Sequence, residues 1–332
     1  MSKNIIYTIN CKFSDPFTRR ELMSEHLKNL DYNIDEELSN YILYNSFGAD
    51  DQDKWSDITM KHITDYANRI GADLKVFDEN DAFKLHLPDT WFLYQRANLL
   101  KLDILKQYVE SDYDNCLILD LDVLVTKKAP SIFDYYSSDK GMFWYVDGNE
   151  RNRKFMRKRL KKYFDFDITF TPQSEMMKIR KRKKRLKHFQ NHSNYNGGVM
   201  LCNDKDSARQ INELIPETDQ WEDFFKSYGA EKNEFINNIP GSEIQEQDLW
   251  VLFSHKSGVK FKPLHCKWNA GLAFEGRDLV SGQTKVGPKK RHFIHFFGGT
   301  SPSVRHFLEL LQTNQGKREI QAVAGLMNKG LI

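Results

Sequence analysis

Apolar and polar positions along this chain follow two rhythms: short continuous apolar runs, and longer stretches with helical spacing. Ile5-Ile6-Tyr7-Thr8-Ile9 is a first run of strand character. Asp15-Pro16 then pairs a capping residue with proline at a first helical position, which predicts a helix to about Leu30. Residues 41–47 read as a strand ended by Gly48. Ser56 or Asp57 caps a helix carrying Ile58, Ile63, Tyr66, Ala67 and Ile70 and stopped by Gly71. A short strand at 74–77 precedes a long helix capped by Asp89 or Thr90 and running to about Tyr108. Residues 116–125 form the longest strand-like run. Further strands are expected at 141–146, 198–202, 259–261 and 291–296, and helices from Asp204 and over 244–253, 304–311 and 318–327. Strands alternating with helices in this order predict an α/β chain with a mostly parallel central sheet flanked by helices. A single domain over 1–315 with a helical tail at 316–332 accounts for the pattern.

The run Cys116-Leu117-Ile118-Leu119-Asp120-Leu121-Asp122-Val123-Leu124-Val125 adds chemistry to this frame. A continuous apolar run of that length reads as a strand buried on both faces. Carboxylates at its end are costly unless a cation, a partner charge or water meets them. Asp120 and Asp122 also repel each other, and a divalent metal removes that problem. Magnesium and manganese prefer oxygen ligands and keep positions open for substrate phosphates. At the carboxyl edge of an α/β sheet, where ligands bind, the expectation is a metal–diphosphate site. Two alternatives stand beside it. Asp-x-Asp triplets also occur in solvated turns. The run also resembles the nucleophile strand of haloacid-dehalogenase-like phosphatases, with Asp120 as nucleophile and Asp122 as acid/base group. That motif usually sits near a domain start, whereas here about 115 residues precede it.

Composition narrows the class without naming a partner. The chain has 332 residues, 40% hydrophobic, which suffices for a substantial core. Net charge is +3, but residues 151–190 hold 16 Lys/Arg against 3 Asp/Glu, leaving the remainder acidic. This basic insertion has the spacing of two amphipathic helices with a break near Thr171-Pro172. It is read as a solvated insertion, or as a contact for an anionic membrane surface, an anionic acceptor or nucleic acid. A non-enzymatic nucleic-acid-binding protein is the corresponding alternative. Cys11, Cys116, Cys202 and Cys266 lie far apart without CxxC spacing, as expected for reduced thiols. No apolar stretch approaches the ~18 residues of a membrane span, and the N-terminus lacks a signal-peptide apolar core. A cytoplasmic protein is expected, peripheral to a membrane if the basic insertion engages one.

Three later motifs bear on the acidic run. Tyr195-Asn196-Gly197-Gly198 precedes a strand, where paired glycines let backbone approach a ligand or simply form a turn. Glu246-Gln247-Asp248 opens an apolar helix. His295-Phe296-Phe297-Gly298-Gly299-Thr300-Ser301-Pro302 closes a strand before a helix, a setting that can hold phosphate on backbone N–H groups. Taken in order, these motifs resemble nucleotide-sugar glycosyltransferases of the GT-A fold, family 8-like. That group shares an Asp-x-Asp strand end, an Asn-x-Gly turn, an acidic-Gln-Asp helix start and a late His-x-x-Gly-x-x-Lys-Pro. The resemblance spans about residues 4 to 312.

The resemblance implies a GT-A (Rossmann-like) fold and a metal-dependent transfer of a sugar to an acceptor hydroxyl, with retention. It implies Asp120, Asp122 and His295 as metal ligands for Mn2+ or Mg2+, and a UDP-linked sugar as donor. Thr8 and Asn10 match positions that hold base and ribose. Lys101, with Arg96 as a second candidate, matches a basic residue near donor sugar and phosphates. Asn196, Gly197, Gly298 and Ser301 would line the donor. Glu246 would grip sugar hydroxyls, and Gln247 would lie beneath the reacting carbon. Asp248 or Glu246 would serve as base were the route inverting. The acceptor would be a glycan, protein or lipid. Two departures stand out: Ser301 occupies the family's lysine position, so that charge must come from Lys101, Arg305 or the basic insertion, and Glu246 stands where the family usually has Asp.

Overall fold

A computed structural model of the chain describes residues 2–11, 52–87, 93–121, 123–147, 150–168, 194–228, 246–271 and 291–295. The expected helix at 15–30, the strand at 41–47 and the C-terminal helices lie outside these residues, as does the second half of the basic insertion.

The central sheet has six strands in the order β2-β1-β3-β6-β5-β7. These are β1 (Asn4–Ile9), β2 (Asp73–Phe77), β3 (Asn115–Asp120), β5 (Met142–Asp147), β6 (Asn194–Cys202) and β7 (Lys262–Pro263). β1 runs parallel to β2 and β3, and β5 parallel to β7, while β6 runs against both its neighbours. The sheet is therefore mostly parallel, as the strand–helix order predicts, with one reversed strand at its centre. A second sheet, β4-β9-β8, comprises β4 (Val123–Val125), β8 (Ala270–Gly271) and β9 (Phe293–His295).

Both faces of the central sheet are covered, which is why its strands read as unbroken apolar runs. Alternate residues divide between two cores. Ile5, Tyr7, Ile9, Cys116, Ile118, Met200 and Cys202 enter one; Ile6, Leu117, Leu119, Val199 and Leu201 enter the other. The first core is closed by α3 (Leu93–Glu110), α5 (Glu150–Phe164) and α8 (Glu246–Ser257), with α2 (Glu79–Lys84), α6 (Lys205–Asn212) and α7 (Trp221–Ser227) beside them. The second is closed by α1 (Gln52–Ile70), α4 (Ile132–Tyr135) and the small sheet. Gly71 ends α1 at φ +64°, a left-handed conformation that costs glycine little. Among the described residues no helix is long and apolar enough to cross a membrane.

Four expectations need correction. Residues 116–125 are not one strand: the chain leaves the central sheet after Asp120 and enters the small sheet at Val123. Asn196-Gly197-Gly198 is not a turn before a strand but lies inside β6. The strand expected at 259–261 is displaced to Lys262–Pro263, because the pairing partners of β5 are Lys262 and Pro263. The described half of the basic insertion is not merely solvated. Helix α5 buries Met156, Leu160, Tyr163 and Phe164 in the first core. The pattern also missed α2, which Asp78 and Asp81 close with a reciprocal capping box.

Candidate functional site

The site begins where β3 ends. Asp120 is the last residue of that strand, level with Ile9 at the end of β1. Helix α3 runs beneath and sends Lys101 up to it. The Lys101 ammonium lies 2.6 Å from Asp120 Oδ1 and 3.6 Å from Glu246 Oε1, and it donates to the Gly197 carbonyl at 3.3 Å. Three elements, α3, β3 and the first turn of α8, thus meet on one cation that is almost fully buried. A lysine so placed cannot stand alone; the two carboxylates are what make its burial tolerable. Asp120 remains about a quarter exposed and faces outward, whereas Glu246 is buried.

Burial holds the Glu246 carboxyl above the ordinary carboxylate range; Lys101 opposes that rise and Asp120 adds to it. The native state therefore keeps this proton to higher pH than the unfolded chain does, so stability falls as pH rises through that window. Glu246→Gln removes the titration. The variant is expected to melt above the wild type at pH values above the ordinary carboxylate range, and level with it below. Paired thermal melts across pH 3 to 8 measure the difference.

Strand β6 brings the two glycines against these side chains. Its register with β5 jumps from Met200 opposite Trp144 to Asn196 opposite Tyr145, so residues 197–199 bulge from that ladder. A Cβ on Gly197 would stand 2.4 Å from Glu246 Oε1, and one on Gly198 would stand 2.0 Å from His295 Cε1. Neither glycine has a left-handed φ; what is required of them is the absence of a side chain. Successive positions of one bulged strand touch both halves of the site.

His295 reaches the site through the small sheet. β9 pairs antiparallel with β4, placing His295 opposite Val123, the residue following Asp122. The imidazole is buried, and its Nδ1 lies 2.9 Å from Asn269 Oδ1. Asn269 in turn donates from Nδ2 to Asn196 Oδ1 at 2.8 Å, and the Gly198 amide donates to that same oxygen at 3.1 Å. Asn269 is fully buried and was not foreseen from the sequence.

Asp248 is held by a partner that the sequence did not indicate. Its carboxylate has no exposed surface and takes a bidentate pair from Arg159, with Nε and Nη2 at 2.7 and 2.8 Å. The basic helix α5 therefore clamps the start of α8. Gln247, between Glu246 and Asp248, is half-buried.

Thr8 and Asn10 flank Ile9, the residue level with Asp120. Thr8 is fully buried in β1, and its hydroxyl has no hydrogen-bond partner among the described residues. The Asn10 amide donates to Phe77 O at 2.8 Å. Arg96 is directed to the backbone, donating to the carbonyls of Leu85 and Leu87 at 3.0 and 2.9 Å. Asp122, Gly298, Ser301 and Arg305 lie outside the described residues. Among the described residues no group of three or more His, Cys, Asp or Glu side chains is gathered for a metal ion. The donors that are described nonetheless fit a divalent cation: an outward carboxylate at Asp120, and at His295 an imidazole whose orientation a neighbour fixes, as ligating histidines require.

No protein-family model matches the chain, and no curated protein matches its sequence. Solved structures do resemble it. The galactosyltransferase LgtC, in complex with donor and acceptor sugar analogs, aligns at TM-score 0.40 and 13% identity over 92% of this chain and 94% of its own. A glycosyltransferase involved in glycosylation of the major capsid of PBCV-1 aligns at 0.41 and 10% over 92% and 98%. Mouse xyloside xylosyltransferase 1 aligns at 0.36 and 16% over 68% and 74%. Likeness at this level assigns no function; that rests on the residues of the site.

Proposed function

We propose that this chain is a metal-dependent glycosyltransferase that moves a sugar from a nucleotide-diphosphate sugar, UDP-linked, to an acceptor hydroxyl with retention. The observation that carries the proposal is Lys101 seated between Asp120 and Glu246 at the carboxyl end of β3, against the side-chain-free surface of Gly197. Ligands of α/β sheets bind at such strand ends.

Asp120, Asp122 and His295 would hold Mn2+ or Mg2+, which would stabilise the negative charge that develops on a departing diphosphate. The chain's own groups do the rest. Glu246, paired with Lys101, would accept from a sugar hydroxyl. Lys101 holds Glu246 and Asp120 in fixed relation. Gln247 follows Glu246 on the same helix turn and supplies a neutral amide toward the reacting carbon. Thr8 and Asn10, near the end of β1, would contact the base and ribose. Asp248, bound by Arg159, serves as an anchor of α8 and not as a base.

A thermal-shift panel of nucleoside diphosphates and their sugars, with and without Mn2+, tests the proposal. Ligand at 100 times its Kd raises stability by about 2.7 kcal/mol. One nucleotide series is expected to raise the melting temperature only with Mn2+, and Asp120→Asn to abolish the response. Phosphate release from monoesters, without any nucleotide response, would favour the phosphatase alternative. Salt-sensitive binding to DNA or RNA that disappears on deleting residues 151–190, with no nucleotide response, would favour nucleic-acid binding.

Four thiols not joined in disulfides support a cytoplasmic setting. The outer face of α5, with exposed Lys154, Arg157, Lys158, Lys161 and Lys162, supports contact with an anionic membrane or acceptor.

A further inference from the structure

We propose that Asn269 is a positioning residue that fixes His295 in the tautomer protonated on Nδ1, with Asn196 and the Gly198 amide setting the orientation of Asn269. The role of that tautomer in holding a cation rests on the function proposed above; the tautomer itself does not.

The inference follows from hydrogen-bond direction alone. A backbone N–H can only donate. The Asn196 side-chain atom 3.1 Å from the Gly198 nitrogen must therefore be an oxygen. That same oxygen is 2.8 Å from the Asn269 side chain, so Asn269 must turn its NH2 toward Asn196. Its carbonyl oxygen is then the atom left to face His295, 2.9 Å from Nδ1. An oxygen accepts, so Nδ1 carries the proton, and in a neutral ring Nε2 carries the lone pair. One fixed donor on β6 thus decides the protonation geometry of a ring on β9 through two amides. Burial sharpens the choice: Asn269 and His295 are almost wholly removed from water, so a flipped amide would set two acceptors or two donors face to face. The close seat of Gly198 against His295 Cε1 keeps the ring from turning over to exchange its nitrogens. Histidine in water prefers the opposite tautomer, so this arrangement works against the intrinsic preference and needs the relay. A nitrogen lone pair presented by a ring whose other N–H is held by a carbonyl is the state in which histidine binds a divalent cation.

The experiment uses the full-length, metal-free, 15N-labelled protein and two-bond 1H–15N spectra of its imidazoles; His295→Gln identifies the His295 resonances among ten histidines. The wild type is expected to show a protonated Nδ1 and a pyridine-like Nε2. Asn269→Leu, which keeps the bulk and removes the acceptor, is expected to move His295 toward the Nε2–H form. Asn269→Asp, which keeps the acceptor, should retain Nδ1–H. Calorimetric titration with Mn2+ alone should then give binding about 10- to 100-fold weaker for the leucine variant than for wild type. Should Asn269→Leu not fold, Asn196→Ala releases the amide of Asn269 and is expected to give a tautomer mixture. A wild-type ring protonated on Nε2, or an unchanged spectrum in both Asn269→Leu and Asn196→Ala, overturns the proposal. A wild type that shows the Nδ1–H ring but takes up no Mn2+ upholds the relay and counts against the metal-dependent function.

Discussion

Arg159→Met is expected to destabilise the protein by about 3–5 kcal/mol, the cost of stranding one member of a buried ion pair. Arg159 lies in a run of basic residues that would be taken as a solvated face, where truncation usually costs little. Its guanidinium instead meets the completely buried Asp248 with two hydrogen bonds, a bidentate geometry that lysine cannot supply. Without it a carboxylate remains in an apolar surround with Leu249, Trp250 and Leu252 nearby on the helix. The paired change Arg159→Met with Asp248→Leu should recover most of the loss, since buried ion pairs are often replaced by apolar side chains at little cost. Urea unfolding of the two single variants and the double variant gives the coupling directly. Neighbouring Lys158→Met, on the exposed face of α5, should change stability by less than about 0.5 kcal/mol.

Lys101→Met is expected to harm both stability and turnover. It leaves Asp120 and the buried Glu246 facing each other with their cation gone, at a cost of about 3–5 kcal/mol near neutral pH. Turnover of a nucleotide-sugar donor should fall by about 10²–10³-fold, the usual effect of removing one fixed charge or donor from a reacting centre. The sign of the pH effect is distinctive. Lys101 lowers the carboxyl of Glu246 while burial raises it, so the variant has this group raised further. Glu246 then takes up a proton more readily, and the gap in stability between wild type and variant should close as pH falls toward the carboxylate range. Melting temperatures of both proteins across pH 4 to 8 would show parallel curves instead if Lys101 acted only by packing.

Much of the central sheet was legible because its strands are buried on both faces, and continuous apolar runs such as 5–9 and 116–119 leave little ambiguity. The break at Asp120 was not, since Val123, Leu124 and Val125 are as apolar as the strand before them; only the partner strand, β9, separates the two. Lys101 could be singled out by resemblance, but its pairing with Glu246 joins helices about 145 residues apart and leaves no local trace. Arg159 carried a signal that the charge of its neighbours hid: it lies three residues after Met156 and four before Tyr163, on the apolar stripe of its helix. A charge at such a position asks for a buried partner. Asn269 had no such signal. An asparagine after a tryptophan reads as a loop, and the role proposed for it arises only from the atoms that two distant strands, β6 and β9, bring to it.

The passage of the chain from one sheet to the other at Asp120 has a consequence for synthesis on the ribosome. β3 finds its neighbours β1 and β6 once residue 202 has been made, but β4 must wait for β9, about 170 residues downstream. Pairings that distant are the slowest to close. An emerging polypeptide would therefore own most of its central sheet well before it owned β9, and a product truncated ahead of residue 293 would lack His295, one of the three residues proposed above to hold the cation.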